Sequence, residues 1–245
     1  MSYPQRLIER VAERIGISYR VQVLDVQTGA GSLALPLART GARVTAMDSA
    51  AEHVALAANN AEQAALRIQA VQRGVEGLGP DLGRFRLVTI GSAIREVDRV
   101  RMLAALDGLI VPAGGVAVFE LRYPNVQDNL WHEELRWIAA RHGSDRPRDP
   151  YPHGGTHEDV LLRSPFDQLE RMGVLERRVT PVEDVVARVV CSAYQNGRWA
   201  PNAAALAAAV RRATVKHARD GHLHEVVEAC ALVARRSADL KGRWV

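Results

Sequence analysis

The chain alternates between two hydrophobic periods. "RVQVLDV" (20–26) is a short run rich in β-branched residues and bounded by a turn, which predicts a buried strand. "GSLALPLART" (31–40) has helical apolar spacing and stops at Gly41. "ARVTAMD" (42–48) predicts a second strand ending in an acid, and "SAAEHVALAANNAEQAAL" (49–66) an alanine-rich helix that Ser49 can cap. "RIQAVQR" (67–73) and "FRLVTIGSAI" (85–94) predict the third and fourth strands. "VDRVRMLAALDGLI" (97–110) predicts a helix stopped by "PAGG", and "GVAVFEL" (115–121) the fifth strand. Strands and helices in this alternation imply a doubly wound, parallel α/β sheet with helices on both faces.

The alternation breaks after Leu121. "NVQDNLWHEELRWIAARHG" (125–143) has the spacing of an amphipathic helix, and the proline- and glycine-rich "SDRPRDPYPHGGTHED" (144–159) follows it. An insertion here leaves from the carboxyl end of a central strand, where open α/β sheets bind ligands. Residues 122–164 are therefore expected to form a substrate lid inserted into one domain spanning 1–245. The sheet is expected to resume at "VLERRVT" (174–180) and, after helices around "VEDVVARVVCSAY" and "NAAALAAAVRRATVKHA", to close with "EVVEACALVARR" (225–236).

With 245 residues, 47% hydrophobic and 24% charged, the chain can bury a full core. It has no apolar run long enough for a bilayer, and "MSYPQRLIERVAERIG" lacks the charged-then-apolar layout of a secretory signal. A cytoplasmic enzyme or binding protein is the expectation. Cys191 and Cys230 have no metal-ligand spacing and imply no disulfide framework, so both are expected to be buried thiols. The net charge is +4 and the isoelectric point near 9.4, yet all but two of the 32 basic residues are arginines scattered among acids. That is a solvated surface rather than a nucleic-acid face. Self-association into a homo-oligomer is left open.

Candidate chemistry begins at "VLDVQTGAGS" (23–32), an apolar run that ends in an acid and a glycine-spaced turn. Glycine serves such a turn where the backbone takes positive φ or approaches a ligand, and the amides at the next helix start favour anionic groups. Dinucleotide enzymes use similar turns, so the turn alone is weakly specific. Asp48 adds to it: a carboxylate ending the second strand, about twenty residues on, is placed to accept from both hydroxyls of a ribose. A helix cap is its competing role.

These segments together resemble the class I S-adenosylmethionine-dependent methyltransferases. "VLDVQTGAGSLALPLA" resembles the first motif, "VTAMDSA" the second-strand acid and "VQRGVEGLG" the adenine loop. "RLVTIGSAIREVDR" resembles the fourth-strand segment of a bacterial small-molecule subgroup, "LIVPAGGVAVFE" the turn into the fifth strand, and "SYPQRLIERVA" the subgroup's tyrosine-proline lead-in. The resemblance implies a Rossmann-like seven-stranded sheet with an antiparallel last strand, and S-adenosylmethionine as cofactor. It implies that Gln27, Thr28, Gly29, Ala30 and Gly31 border the methionine portion, and that Asp48 holds the ribose with Ser49 beside it. It further implies that Val75 offers its amide to adenine with Glu76 nearby, that Gly91 floors the sulfonium and that Tyr3 folds over the cofactor. The chain departs from the pattern at Gln27, where a glycine is usual, at Gly74, where many relatives carry an acid, and at Ser92, Arg95 and Glu96.

Gln27 leaves three outcomes open: its side chain points away or meets the cofactor carboxylate, it fills the pocket, or the backbone absorbs it. Methyl transfer to a small, largely apolar metabolite is the leading expectation. A fold repurposed for cyclisation or rearrangement, and a non-catalytic ligand-binding regulator, are the alternatives. Oxygen and nitrogen acceptors benefit from a base, for which the insertion offers His132, His153 and His157, with Glu133 and Tyr151. Each has a structural rival, such as a helix-face residue or, for His157, a helix cap. "HGGTHED" lacks the helical i, i+4 histidine pair of a zinc site, so no metal is expected. Trp131 and Trp137 could wall an apolar pocket or belong to an ordinary core.

Overall fold

The computed structural model describes residues 3–142, 155–195 and 203–237. His153 and Tyr151 lie outside them.

Seven strands form one sheet: β1 (Gln22–Val26), β2 (Arg43–Asp48), β3 (Ile68–Gln72), β4 (Phe85–Ile90), β5 (Ile110–Arg122), β6 (Gln168–Pro181) and β7 (His222–Arg235). Their order is β3-β2-β1-β4-β5-β7-β6. The pairs β1–β2, β1–β4, β2–β3 and β4–β5 are parallel, with Val26 in register with both Met47 and Ile90. Chain order therefore reverses between β1 and β4, and the carboxyl ends of β1, β2 and β4 come together at that switch point.

Side chains alternate across the sheet, as expected of strands buried on both faces. Val23, Leu87, Ala117 and Phe119 join one core cluster with α1 (Gln5–Ile15) and α2 (Ala34–Arg39). Leu24, Val88, Ile90, Val116 and Val118 join the other with α4 (Arg99–Asp107) and α6 (His157–Leu162). Leu7, Ile8, Val11, Ala12 and Ile15 line the buried face of α1, and Gly16 ends the helix at φ 74°. Between β2 and β3 runs α3 (Ala51–Gln63).

Three local expectations change. Ser49 does not cap α3; the cap position is Ala50, whose amide donates to Asp48 (3.0 Å). The fourth strand stops at Ile90, and 92–95 form a 3-10 turn. "PAGG" lies inside β5, where Ala113 has φ 59° and the register against β4 shifts between Phe85 and Leu87. That is a bulge, and a Cβ on Gly114 would come within 2.7 Å of the Arg86 carbonyl oxygen.

The chain divides into two compact units, residues 1–121, 151–174 and 229–245 in the first and 122–150 with 175–228 in the second. Of the described residues in 122–164, those up to 142 belong to the second unit and those from 155 to the first. In the second unit, α5 (Trp131–His142), α7 (Val182–Gln195) and α8 (Ala203–Val215) pack through Trp131, Leu135, Val185, Val186, Leu206 and Val210. Trp131 is therefore a core residue, while Trp137 is 65% exposed. Cys230 is buried but Cys191 is exposed, because it lies off the Val185–Val186 face of α7. No helix among the described residues is long and apolar enough to cross a membrane.

Candidate active site

The first unit carries every residue expected to touch the cofactor. Directly after β1, Gln27 has φ 54°, Gly29 φ 54° and Gly31 φ 83°. The loop thus keeps the left-handed steps of a glycine turn, with a glutamine at the first of them. For a residue with a Cβ that conformation costs roughly 1–2 kcal/mol. The glycines differ in what surrounds them. A Cβ on Gly31 would lie 2.2 Å from Leu35 Cδ1, so Gly31 serves close helix packing. A Cβ on Gly29 would meet nothing within 4 Å, so the backbone there faces open space.

Two buried carboxylates brace this loop. Asp25 accepts from Thr28 Oγ1 (2.6 Å) and Thr89 Oγ1 (2.7 Å), and from the Ala34 amide. Burial raises its pKa to about 6 in spite of these donors, which pull the other way. Asp48, 3% exposed, accepts through Oδ2 from the Gly29 amide (2.9 Å) and through Oδ1 from the Ala50 amide (3.0 Å), with His53 Nδ1 3.2 Å from Oδ1. It thus ties the loop after β1 to the backbone that enters α3. The Thr28 amide donates to Met47 O (3.0 Å), and Asn60 Nδ2 to Ala30 O (3.0 Å).

The remaining expected contacts lie around this cradle. Val75 opens a short 3-10 turn and is half-buried. The exposed Glu76 folds back so that its Oε2 would be 2.4 Å from a Cβ on Gly74, a position 3.6 Å from the exposed Ser49's Cβ. Tyr3 is buried, stacks edge-on against Phe119 (centroids 5.4 Å apart) and donates to the Phe119 carbonyl (3.1 Å). Burial raises its phenol pKa, against hydrogen bonds with Ser92 that lower it. A Cβ on Gly91 would sit 3.1 Å from Tyr3 Oη, so the missing side chain at 91 leaves room for that hydroxyl.

A charged cluster occupies the ends of β4 and β5. Arg95 Nη2 meets Glu120 Oε1 at 2.8 Å, and His157 Nε2 lies 3.1 Å from the same oxygen. On the other side of the ring, Arg99 Nη1 is 3.2 Å from His157 Nδ1. Arginine only donates, so this arrangement assigns the His157 proton to Nε2 and its lone pair to Nδ1. His157 is 1% exposed at the first turn of α6. Its expected capping role belongs instead to Thr156, which accepts from the Asp159 amide in a capping box.

His132 belongs to the second unit. Its Nε2 is 3.3 Å from Glu225 Oε2, and its ring packs on Tyr123 (centroids 4.3 Å apart). Burial, the largest influence, lowers its pKa. Glu225 also receives both Arg188 Nη atoms (3.0 and 2.8 Å) and Thr180 Oγ1 (2.7 Å). Burial pushes the Glu225 pKa up, but these donors and His132 outweigh it and hold it at about 2. Among the described residues no group of histidine, cysteine or acidic side chains could hold a metal.

Asp25, Thr89, His53, Arg99 and Glu120 stand in no sequence motif that assigns them a role. An acid inside the apolar run of β1 was the one local signal, marking a buried carboxylate that needs donors.

Residues 23–114 match a family model described as "Methyltransferase domain". Over 96 residues the chain is 35% identical to the ubiquinone biosynthesis O-methyltransferase of Methylocella silvestris, covering 39% of this chain and 38% of that protein. Over 160 residues it is 30% identical to the enzyme of that name from Cronobacter sakazakii, covering 65% and 62%. The chain therefore spans less than two thirds of the length of these relatives. A solved structure from Anaeromyxobacter dehalogenans, described as a candidate type II methyltransferase, superposes with a TM-score of 0.63 at 20% identity, covering 96% of this chain and 97% of that one.

Proposed function

We propose that this chain, a member of the class I S-adenosylmethionine-dependent methyltransferases, transfers the methyl group of S-adenosylmethionine to a hydroxyl oxygen of a small metabolite. The observation that carries it is the pairing of Asp48 with the Gly29 amide over a backbone that faces open space. The residues present fit the cofactor. A carboxylate has about four acceptor sites, and Asp48 uses three on Gly29, Ala50 and His53, leaving one for a ribose hydroxyl. Val75 and Glu76 would flank the adenine, and Tyr3 and Gly91 would close the side towards β4.

When bound, S-adenosylmethionine supplies an electrophilic methyl group on a sulfonium. The chain's contribution is to hold donor and acceptor in line, where proximity and orientation lower most of the barrier. On this reading the acceptor hydroxyl meets the cluster at the ends of β4 and β5, and the Glu120 carboxylate receives its proton as the oxygen is methylated. Arg95 holds that carboxylate in place and the buried His157 ring lies against it, which makes His157 a positioning residue. His132, tied to Glu225, has a structural role in the second unit. The oxygen acceptor and the biosynthetic setting are taken from the relatives' names.

The test is product mass after incubating hydroxylated aromatic acceptors with and without S-adenosylmethionine. A product heavier by one methyl group, formed only with the cofactor, is expected. An isomer of unchanged mass formed equally well without it would replace methyl transfer by cyclisation or rearrangement.

A further inference from the structure

Arg99 is among the largest fully buried side chains of the described residues, only 2% exposed. It opens α4, where the helix dipole disfavours a cation, and it cannot relieve its charge by losing a proton. Two costs thus oppose it, and an apolar side chain of similar length would fill the same space without them. Within the site, Arg99 reaches His157, its Nη1 lying 3.2 Å from Nδ1. Across the ring, Nε2 lies 3.1 Å from Oε1 of the buried Glu120. The imidazole therefore stands between a buried cation and a buried carboxylate, and all three residues belong to the first unit.

We propose that Arg99 is a positioning residue for methyl transfer, acting on Glu120 through the His157 ring. This deepens the reading of Glu120 as the group that takes the acceptor's proton, and rests on it. A neutral imidazole has one nitrogen that donates and one that accepts. Beside a guanidinium, which only donates, Nδ1 keeps its lone pair and the proton goes to Nε2, on the side of Glu120. The opposite tautomer would set N–H against guanidinium N–H, and a lone pair against the carboxylate that Arg95 holds there. Nε2 and Oε1 are close without being aligned as a hydrogen bond. Catalytic contacts of this kind commonly tighten once substrate is bound. Arg99 thus decides whether Glu120 meets a donor or an acceptor.

The experiment reads the ring by nitrogen NMR of isotopically labelled histidine, and the chemistry by methyl transfer to catechol. Wild type should show His157 protonated at Nε2 and not at Nδ1. Arg99→Met should show both tautomers, and Arg99→Lys, which keeps a cationic donor, should restore the single one. Arg99→Met should also lower kcat about ten- to a hundredfold, the scale of losing a group that fixes a histidine's tautomer, with KM for S-adenosylmethionine unchanged. In a His157→Gln background, whose carboxamide has no tautomers, Arg99→Met should cost nothing further. A wild-type ring protonated at Nδ1, or a ring unchanged in Arg99→Met, would overturn the proposal whatever the activity. So would equal losses of kcat in the two backgrounds, the mark of a merely structural arginine. Full activity in Glu120→Gln, with the ring spectra as expected, would overturn the reading of Glu120 and the proposal with it.

Discussion

Asp48 and Gly29 are joined by a hydrogen bond of 2.9 Å from the glycine amide to the carboxylate, across nineteen residues of chain. The acid that ends β2 thus fixes the loop that follows β1, and on the proposed function the same side chain also holds the ribose. Replacing Asp48 with Asn should weaken S-adenosylmethionine binding by about ten- to a hundredfold, since hydrogen bonds to a charged group contribute roughly 1.5–3 kcal/mol. The melting temperature should fall with it. A lower melting temperature with undiminished affinity would confine Asp48 to bracing the loop.

The two loop glycines separate stability from binding. Gly31→Ala meets Leu35 at a position of positive φ and should destabilise the protein by about 1–3 kcal/mol in urea unfolding. Gly29→Ala carries a similar strain of about 1–2 kcal/mol. Its Cβ, however, enters open space, so it should cost the greater share of cofactor affinity. Equal affinity losses in the two variants would contradict a ligand lying against Gly29.

Asp25 makes stability depend on pH in an unusual direction. Burial raises its carboxyl from 3.8 to about 6, so the fold favours the protonated form. That contribution is complete below about pH 4 and is lost as pH rises through about 6. Asp25→Asn stays neutral. Its unfolding free energy should gain on wild type by up to about 3 kcal/mol between about pH 4 and 7. A constant difference across that range would show that Asp25 is ionised throughout.

Glu225 runs the other way. Its pKa is held at about 2, so its contribution is present above the ordinary carboxylate range and disappears as pH falls through that value. Glu225→Gln leaves Arg188 poorly compensated and should cost about 3–5 kcal/mol at neutral pH, a loss that shrinks on acidification. Thermal unfolding between neutral and acid pH would show both effects, and a pH-independent cost would contradict the assigned ionisation.

The strands were legible because each is a short apolar run closed by a turn, and the cradle because Asp48 and the glycine spacing are local in the sequence. The bulge at Ala113 was not, since "PAGG" reads equally well as a helix stop. The Arg95–Glu120–His157–Arg99 cluster could not be read either: its members are drawn together by β5 and α6 from positions as far apart as 95 and 157. Trp131 reads equally as a pocket wall or a core residue, because an amphipathic helix shows which residues are apolar but not what they face. Its Nε1 donates to Asp128 O (2.8 Å) and its ring joins the second unit's core.

On the proposed function, the loop between β1 and α2 still holds a methyl donor although Gln27 stands where a glycine is usual. Calorimetric titration of the wild-type protein with S-adenosylmethionine tests it most directly. Saturable binding of one cofactor per chain, at roughly micromolar affinity, is expected. No heat of binding up to millimolar cofactor would contradict it and mark a methyltransferase fold put to other chemistry.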